Sequence, residues 1–253
     1  MKRQQKFEVN LSDVDAFIFD MDGVVTDTAC IHAAAWKRLF DEFLKKTAEH
    51  DSAEFQPFDI NSDYPFYVDG KPRYDGVKSF LESRGILLPY GSPKDDTDKE
   101  TVCGLGNKKN RYFYEYIRTH KVEPYRSTVV FIETLKSLGI HTAIISASRN
   151  ADEVLASAGV KPLFNIKVDG IDSDRLGLEG KPHPDIFLEA ARQLRVKPER
   201  AAVVEDALAG VEAGRKGKFR LVIGVDRTGQ EENLKKYGAD IVVQDISQLS
   251  VCS

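Results

Sequence analysis

The chain alternates between short apolar runs and longer stretches with helical periodicity. The apolar runs are rich in β-branched residues, and each ends near acidic, Ser or Gly residues, which is typical of buried strands. The predicted strands are Ala16–Asp20, 142–146, 166–169, Ala201–Glu205, Leu221–Val225 and Ile241–Val243. This alternation predicts an α/β fold with a Rossmann-like parallel sheet core that is flanked by helices.

Helical periodicity lies between most of these runs. The segment Asp185–Leu194 places its apolar residues on one stripe, and Pro184 stands just before it, where a helix start tolerates proline. The segment 127–138 has the same periodicity and ends at Gly139, a residue that suits a helix C-terminus. We expect both segments to be helices of the core.

The alternation stops after the first predicted strand. A helical pattern over 28–46 is followed by irregular stretches rich in Asp, Pro, Tyr and Gly, and then by a second helical pattern over 107–119. No convincing strand pattern lies between them. We therefore predict a mostly helical cap domain at residues 31–120, inserted into an α/β core made of residues 1–30 and 121–253.

Composition narrows the possible partners. The 253 residues are 42% hydrophobic and carry a net charge of -4, which suits one α/β domain with or without an inserted domain. A nucleic-acid-binding surface needs clustered excess Lys and Arg, so no nucleic-acid partner is expected. Cys30, Cys103 and Cys252 are too widely spaced for a zinc site or a disulfide framework, and we expect reduced thiols.

No apolar run reaches the length that a membrane span needs, and residues 1–10 lack the apolar segment of a signal peptide. These patterns predict a cytoplasmic protein with no membrane partner. No large apolar interface is marked by the pattern, so a monomer is expected.

Two carboxylates follow the first predicted strand. Asp20 and Asp22 are two positions apart, so both are expected on one side of the chain at the strand's carboxyl end. At ~4 Å and an effective dielectric near 20 their repulsion is roughly 4 kcal/mol, so a cation or a shared proton should be present. Gly23 permits a turn that aims backbone N–H groups at an anion. Taken alone, the motif also fits an exposed turn.

Further polar residues follow the later strands. Ser146 ends one run, and its hydroxyl with the following amides could hold phosphoryl oxygens, although Ser148 or Asn150 could also cap the next helix. Lys181 precedes two prolines that stiffen the backbone, so its ammonium could neutralise a carboxylate and a phosphoryl group. A surface lysine is the simpler alternative.

Glu205 and Asp206 end another strand. With Asp20 and the Asp22 carbonyl they predict a site of oxygen ligands, which favours Mg²⁺. The alternative for Asp206 is a helix cap. The order of the motifs supplies a nucleophile, an acid/base, phosphate donors, a neutralising charge and a metal cage, and therefore predicts phosphoryl transfer.

These motifs resemble the haloacid dehalogenase-like superfamily over essentially the whole chain. Within it, the sequence is most similar to the β-phosphoglucomutase family and related sugar-phosphate phosphatases. The stretches that carry the resemblance are 19–28, His32, 36–37, 70–73, 109–110, 146–150, 181–185 and 205–210. The cap loop departs from the family pattern, because Gly-Lys-Pro-Arg-Tyr74 stands where Gly-x-Ser-Arg-Glu is usual. That departure affects the expected sugar more than the expected chemistry.

The resemblance implies a role for each matching residue. Asp20 would be the phosphorylated nucleophile and Asp22 the general acid/base. Asp20, Asp206 and the Asp22 carbonyl would bind Mg²⁺, with Glu205 as a further ligand or a water-mediated neighbour. Ser146, Ala147 and Lys181 would hold the transferring phosphoryl group. The residues implied in binding the substrate are Thr28, His32, Arg73, Lys109, Ser148, Arg149 and Asn150. For Arg73 and Lys109 the alternative is an exposed cap charge, and for His32 it is cap packing.

Three functions are compatible with these candidate site residues, and the third fits them least well. The first is a mutase that interconverts a β-hexose 1-phosphate and a hexose 6-phosphate through a bisphosphate. The second is a phosphatase that uses the same residues with water as the acceptor. The third is a receiver-like signalling module, which the length of the chain and the inserted cap disfavour.

Overall fold

The computed structural model describes residues 6–52, 54–119 and 121–252. The predicted domain limits at the two chain ends and at residue 120 lie outside the described residues, as does half of the segment in which a signal peptide was sought. The chain forms two compact units, one made of residues 1–27 and 122–253 and the other of residues 28–121.

The elements run in the order of the chain. The strands are β1 (Phe7–Asn10), β2 (Ala16–Asp20), β3 (His141–Ile145), β4 (Ile166–Val168), β5 (Ala201–Glu205), β6 (Leu221–Val225), β7 (Ile241–Val243) and β8 (Leu249–Cys252). The helices are α1 (Ala29–Asp51), α2 (Arg73–Ser83), α3 (Val102–Thr119), α4 (Arg126–Ser137), α5 (Ala151–Ala158), α6 (Gly170–Leu176), α7 (Asp185–Leu194), α8 (Leu208–Lys216) and α9 (Glu231–Tyr237). Among the described residues, no helix is both long and apolar enough to cross a bilayer.

A six-stranded parallel sheet forms the core of the first unit, in the order β4-β3-β2-β5-β6-β7. All residues of β2 and β5 are buried, as expected for strands covered on both faces. The chain runs outward from β2 to β4 and then resumes on the other side with β5. The strand order therefore reverses between β2 and β5, and the carboxyl ends at such a point flank a ligand crevice. The predicted parallel α/β fold is confirmed.

A second, two-stranded parallel sheet pairs β1 with β8, with Phe7 opposite Leu249. Neither strand was predicted from the sequence. Each has four residues, and β1 is mostly exposed or half-buried, so its local pattern carries little strand signal. The pairing joins residues near opposite ends of the chain, which no short-range pattern reveals.

The second unit is helical, and no strand occurs among its described residues. Its core is aromatic: the rings of Phe40 and Phe80 lie 4.1 Å apart, and Phe40 also packs on Trp36 and Phe58. The spacing of Trp36 and Phe40 in the sequence reflects this packing. Gly76 of α2 passes so close to Trp36 that a β-carbon there would lie 3.1 Å from its ring. No element was predicted from the sequence for the region that α2 occupies.

Candidate active site

Lys181 joins the carboxyl ends of the two central strands. Its ammonium lies 2.6 Å from an oxygen of Asp20, the last residue of β2, and 2.7 Å from an oxygen of Glu205, the last residue of β5. All three side chains are almost completely buried. The surface alternative for Lys181 is therefore wrong, and a charged triad occupies the point where the strand order reverses.

The segment before α7 holds Lys181 in place. The His183 N–H donates to the Gly180 carbonyl at 2.9 Å, which closes a turn around the lysine. The ammonium also lies over the ring of Phe187, at 5.3 Å from its centroid. Two prolines flank His183 and limit the backbone on the helix side. A long, flexible side chain is thus fixed in one direction.

The charges of the triad depend on one another. Burial, and then the neighbouring Glu205 carboxylate, raise the pKa of Asp20 well above its ordinary value, although Lys181 opposes this. Burial opposes the charge of Lys181, but the carboxylates of Asp20 and Glu205 raise the pKa of Lys181. The lysine is therefore charged at neutral pH. Any further positive charge beside Asp20 would favour its ionised, nucleophilic form.

The residues around Asp20 fit a hard divalent cation. One carboxylate oxygen each from Asp20, Glu205 and Asp206 lie within 4.8 Å of one another. The group offers oxygen ligands only, and Lys181 neutralises only part of its charge, which suits Mg²⁺. The Asp22 carboxylate is not part of this group. The predicted acidic cluster is present, and its occupation by Mg²⁺ stays a prediction.

The turn after Asp20 is tightly constrained. The Asp22 N–H donates to an Asp20 carboxylate oxygen at 3.1 Å, and the Gly23 N–H donates to the Thr26 carbonyl at 2.9 Å. Gly23 has a φ of +80°, and a β-carbon there would lie 1.8 Å from an Asp206 carboxylate oxygen. Only glycine allows both the turn and the close approach of Asp206.

The loop after β3 brings Ser146 to Asp22. The Ser146 hydroxyl donates to an Asp22 carboxylate oxygen at 3.3 Å and accepts from the Ser148 N–H at 3.1 Å. The Ser148 carbonyl accepts from the Gly170 N–H at 3.1 Å, which ties the loop to the start of α6. Ser146 and Asp22 are thus positioned as a pair, whereas the role of Ser146 in holding a phosphoryl group stays a prediction.

The rest of that loop leads into α5. The N-cap position of α5 is Asn150, one of the two predicted alternatives, but its side chain makes no capping hydrogen bond. The Ser148 hydroxyl accepts from the Asn150 N–H at 3.2 Å. Arg149 pairs with Asp174 at 3.1 Å, and Asn150 is buried at the helix N-terminus. Ala147, which follows Ser146 directly, lies against Gly170 through its carbonyl. The substrate roles of these four residues stay predictions.

Two of the predicted substrate residues of the second unit, His32 and Lys109, are in contact with each other. The Lys109 ammonium lies 2.6 Å from Nδ1 of His32 and 5.0 Å from the centroid of the Trp36 ring. Lys109 is buried, so the exposed-charge alternative is wrong for it. The His32 ring also stacks on Phe113, with centroids 4.2 Å apart. Packing and ligand binding both remain compatible with this cluster.

Two further predicted residues lie at helix starts of the second unit. Thr28 is fully buried just before α1, and its carbonyl accepts from the His32 N–H at 3.0 Å. Arg73 begins α2, and its Nε is buried with no hydrogen-bond partner among the described residues. Its guanidinium lies 5.1 Å from the Tyr74 ring centroid. Arg73 therefore retains donor capacity for a ligand.

Sequence reasoning missed Arg227, which donates from Nε to the Gly23 carbonyl at 2.8 Å. Arg227 follows β6, another strand of the central sheet. The rule that polar residues at the carboxyl ends of parallel strands converge would have selected it.

Comparison with known proteins identifies the family. A family model for the haloacid dehalogenase-like hydrolases matches residues 14–218. The chain is 46% identical over 239 residues to the β-phosphoglucomutase of Mycobacterium tuberculosis, covering 93% of this chain and 91% of that protein. It is 31% identical over 238 residues to the β-phosphoglucomutase of Bacillus subtilis, covering 93% and 92%.

The chain belongs to the haloacid dehalogenase-like hydrolase family. A crystal structure of β-phosphoglucomutase from Clostridium difficile is similar with a TM-score of 0.70 and 29% identity, covering 94% of this chain and 93% of that one. The family predicted from the four motifs is confirmed, and so is the prediction that the chain is an enzyme. The cluster around Asp20 is its candidate catalytic centre.

Gly210 gives a direct test of how this centre is packed. A β-carbon at Gly210 would lie 1.9 Å from the Glu205 oxygen that binds Lys181, so Gly210→Ala must displace that carboxylate. We expect a loss of about 1–3 kcal/mol in the free energy of unfolding, together with a loss of activity.

The matched control lies on the same helix. At Gly214 a β-carbon would meet its nearest neighbours at 3.3 Å, so Gly214→Ala should change the free energy of unfolding by less than about 1 kcal/mol. Denaturant unfolding of both variants makes the comparison. Equal stability of the two variants would contradict the role assigned to Gly210.

Proposed function

We propose that the chain transfers a phosphoryl group through a phosphoaspartate at Asp20, and that it interconverts a β-hexose 1-phosphate and a hexose 6-phosphate. The observation that carries the proposal is the buried Lys181, which holds Asp20 and Glu205 at the crevice between the two central strands. The two β-phosphoglucomutases that match over nine-tenths of the chain support the choice of substrate.

In the first half of the reaction, a carboxylate oxygen of Asp20 forms a bond to phosphorus while the bond from phosphorus to the donor sugar oxygen breaks. Asp22 gives its proton to the departing sugar oxygen. Lys181 offsets negative charge on Asp20 and on the phosphoryl oxygens, and the Ser146 hydroxyl donates to one of those oxygens in place of Asp22.

In the second half, the hydroxyl oxygen of the acceptor sugar attacks phosphorus and the bond to Asp20 breaks. Asp22 takes the hydroxyl proton as that oxygen bonds to phosphorus, so that both carboxyls return to their starting states. The hydrogen bond between Ser146 and Asp22 supports this role, since it holds the carboxyl beside the loop that receives the phosphoryl group.

A magnesium ion bound by Asp20, Glu205, Asp206 and the Asp22 carbonyl would supply positive charge beside the nucleophile and the phosphoryl oxygens. The raised pKa of Asp20, caused first by burial, supports such a need for positive charge. Within the second unit, Arg73 and Lys109 are proposed to bind the other phosphate, with Thr28 and His32 near the sugar. Ala147, Ser148, Arg149 and Asn150 are proposed to contact the phosphoryl group and the sugar.

A phosphatase is the second candidate, because the same residues serve when water replaces the sugar hydroxyl. The observation that favours it lies at the altered cap loop. Tyr74, which stands where the family pattern has Glu, donates its hydroxyl to Asn107 at 2.9 Å and is therefore committed to packing within the unit. A changed loop at this position alters which side chains can bind a sugar.

One assay separates the two candidates. The protein is incubated with Mg²⁺, β-glucose 1-phosphate and a trace of glucose 1,6-bisphosphate, and glucose 6-phosphate and free phosphate are followed in the same tube. We expect glucose 6-phosphate without release of phosphate, and no product when a chelator is in excess of Mg²⁺. Phosphate without isomerisation would assign the phosphatase, and full activity in excess chelator would contradict the metal's role.

A further inference from the structure

Arg227 contacts three parts of the first unit at once. Its Nε donates to the Gly23 carbonyl at 2.8 Å, and Nη1 donates to the Gln244 carbonyl at 3.3 Å. Its guanidinium carbon lies 3.8 Å from the centroid of the Tyr125 ring, in a cation–π arrangement. Most of the side chain is buried. A residue bound from so many sides has a fixed position.

The loop that carries Arg227 is itself rigid. The carboxylate of Asp226, which is buried, accepts from the Thr228 N–H at 3.1 Å and from the Gln230 N–H at 2.8 Å. The Asp226 N–H donates to the Val243 carbonyl at 2.7 Å, which anchors the loop to β7. The guanidinium therefore starts from a backbone that two strands of the sheet define.

The ring of Tyr125 belongs to a second rigid feature, the pairing of the two segments that lead to the second unit. The Tyr125 N–H donates to the Val25 carbonyl and the Asp27 N–H to the Glu123 carbonyl, each at 2.9 Å. The Tyr125 hydroxyl donates to an Asp27 carboxylate oxygen at 3.2 Å. Arg227 thus links the Gly23 turn to this paired segment.

Both hydrogen-bonding groups of Gly23 are then occupied, its N–H by the Thr26 carbonyl and its carbonyl by Arg227. The Asp206 carboxylate lies against its α-carbon. The Gly23 N–H belongs to the peptide that follows Asp22 and the Gly23 carbonyl to the next one, so neither peptide can rotate without breaking a hydrogen bond. The direction of the Asp22 side chain depends on the first of these peptides, since the side chain and that peptide share one α-carbon.

We propose that Arg227 is a positioning residue for the general acid Asp22, acting through the Gly23 carbonyl. The inference rests on the proposed phosphoryl transfer at Asp20. Loss of the guanidinium leaves the nucleophile, its lysine and the acidic cluster in place but frees the turn that aims Asp22. The loss of the guanidinium therefore slows protonation of the leaving oxygen. It does not impair the attack of Asp20 on phosphorus.

The choice of leaving group isolates that step. A phenolate leaving group gains much from protonation, whereas p-nitrophenolate spreads its charge into the nitro group and leaves without a proton. In Arg227→Met we expect kcat/KM for phenyl phosphate to fall about 10- to 100-fold. This ratio reports the transfer to Asp20 and not the later breakdown of the phosphoaspartate, which is the same for both esters. We expect kcat/KM for p-nitrophenyl phosphate to fall by less than about threefold.

Two variants complete the experiment. Arg227→Lys keeps a cationic donor and should recover part of the loss with phenyl phosphate. Arg220→Met is the matched control, because Arg220 lies just before the same strand and its side chain pairs with exposed Asp13 at 3.0 Å. It should retain the rates of the unmodified protein, and thermal melting shows whether each variant is folded.

An equal fall in kcat/KM for both esters would overturn the inference, and so would no fall for either, or no recovery in Arg227→Lys. These two esters carry no sugar. A protein that cleaves them but does not act on hexose phosphates would contradict the proposed substrate and leave the test of Arg227 intact.

Discussion

Lys181→Met is expected to lower kcat by at least about a thousandfold and to reduce the free energy of unfolding by about 3–5 kcal/mol. The lysine is the positive partner of both Asp20 and Glu205, at 2.6 and 2.7 Å, and all three side chains are buried. Its removal leaves two carboxylates facing each other without the ammonium, and burial disfavours their charges. The measurement is denaturant unfolding with chelator present, beside steady-state kinetics with Mg²⁺.

A second substitution separates the two effects. Adding Glu205→Gln to Lys181→Met removes one of the unpaired charges, so it should recover part of the lost stability and none of the activity. Lys216→Met is the control, because Lys216 forms an exposed pair with Glu212 and should change stability by less than about 1 kcal/mol. If Lys181→Met were as stable and as active as that control, the triad would not have the role assigned here.

Asp20→Asn is expected to lower turnover by at least about a thousandfold while the protein remains folded. The amide cannot form the bond to phosphorus, but it fills the same space and removes a buried charge. Because burial raises the pKa of Asp20, the neutral side chain should not reduce the free energy of unfolding in the presence of chelator. Kinetics and denaturant unfolding of the same preparation test both expectations.

The control for this substitution is Asp13→Asn at an exposed position of the first unit. It should match the unmodified protein in rate and nearly match it in stability. Turnover by Asp20→Asn within tenfold of that control would remove Asp20 from the role of nucleophile.

The central sheet could be predicted from the sequence because its strands are buried on both faces. Such strands appear as continuous apolar runs, and Ala16–Asp20 and Ala201–Glu205 are placed to the residue. Their carboxyl ends meet at one edge, so Asp20, Glu205 and Asp206 could be grouped without coordinates.

Other features depend on long-range contacts that no local pattern reports. The pairing of β1 with β8 is one such feature. The helix α2 is a second such feature, because its position depends on the close packing of Gly76 on Trp36. The helix α3 begins at Val102, five residues before the predicted start, because two glycines in its first turns weakened the helical signal.

The environment of a side chain was also beyond sequence reasoning. A buried lysine and an exposed lysine look alike in sequence, so Lys181 and Lys109 could be proposed as functional but not shown to be buried. Arg227 acts on a backbone carbonyl, and a contact of this kind leaves no motif of paired residue types. The position of Arg227 after a predicted strand could have selected it as a candidate, but its partner, the Gly23 carbonyl, could not be read from the sequence.

Trapping the covalent intermediate tests the central claim most directly. The protein is mixed with Mg²⁺ and β-glucose 1,6-bisphosphate, quenched within the first turnover, reduced with borohydride, digested and mapped by mass spectrometry. The account predicts a single modified carboxyl at Asp20, absent from Asp20→Asn and abolished by hydroxylamine before reduction. Product formation with no modification at Asp20, or with modification at another carboxyl, would contradict it.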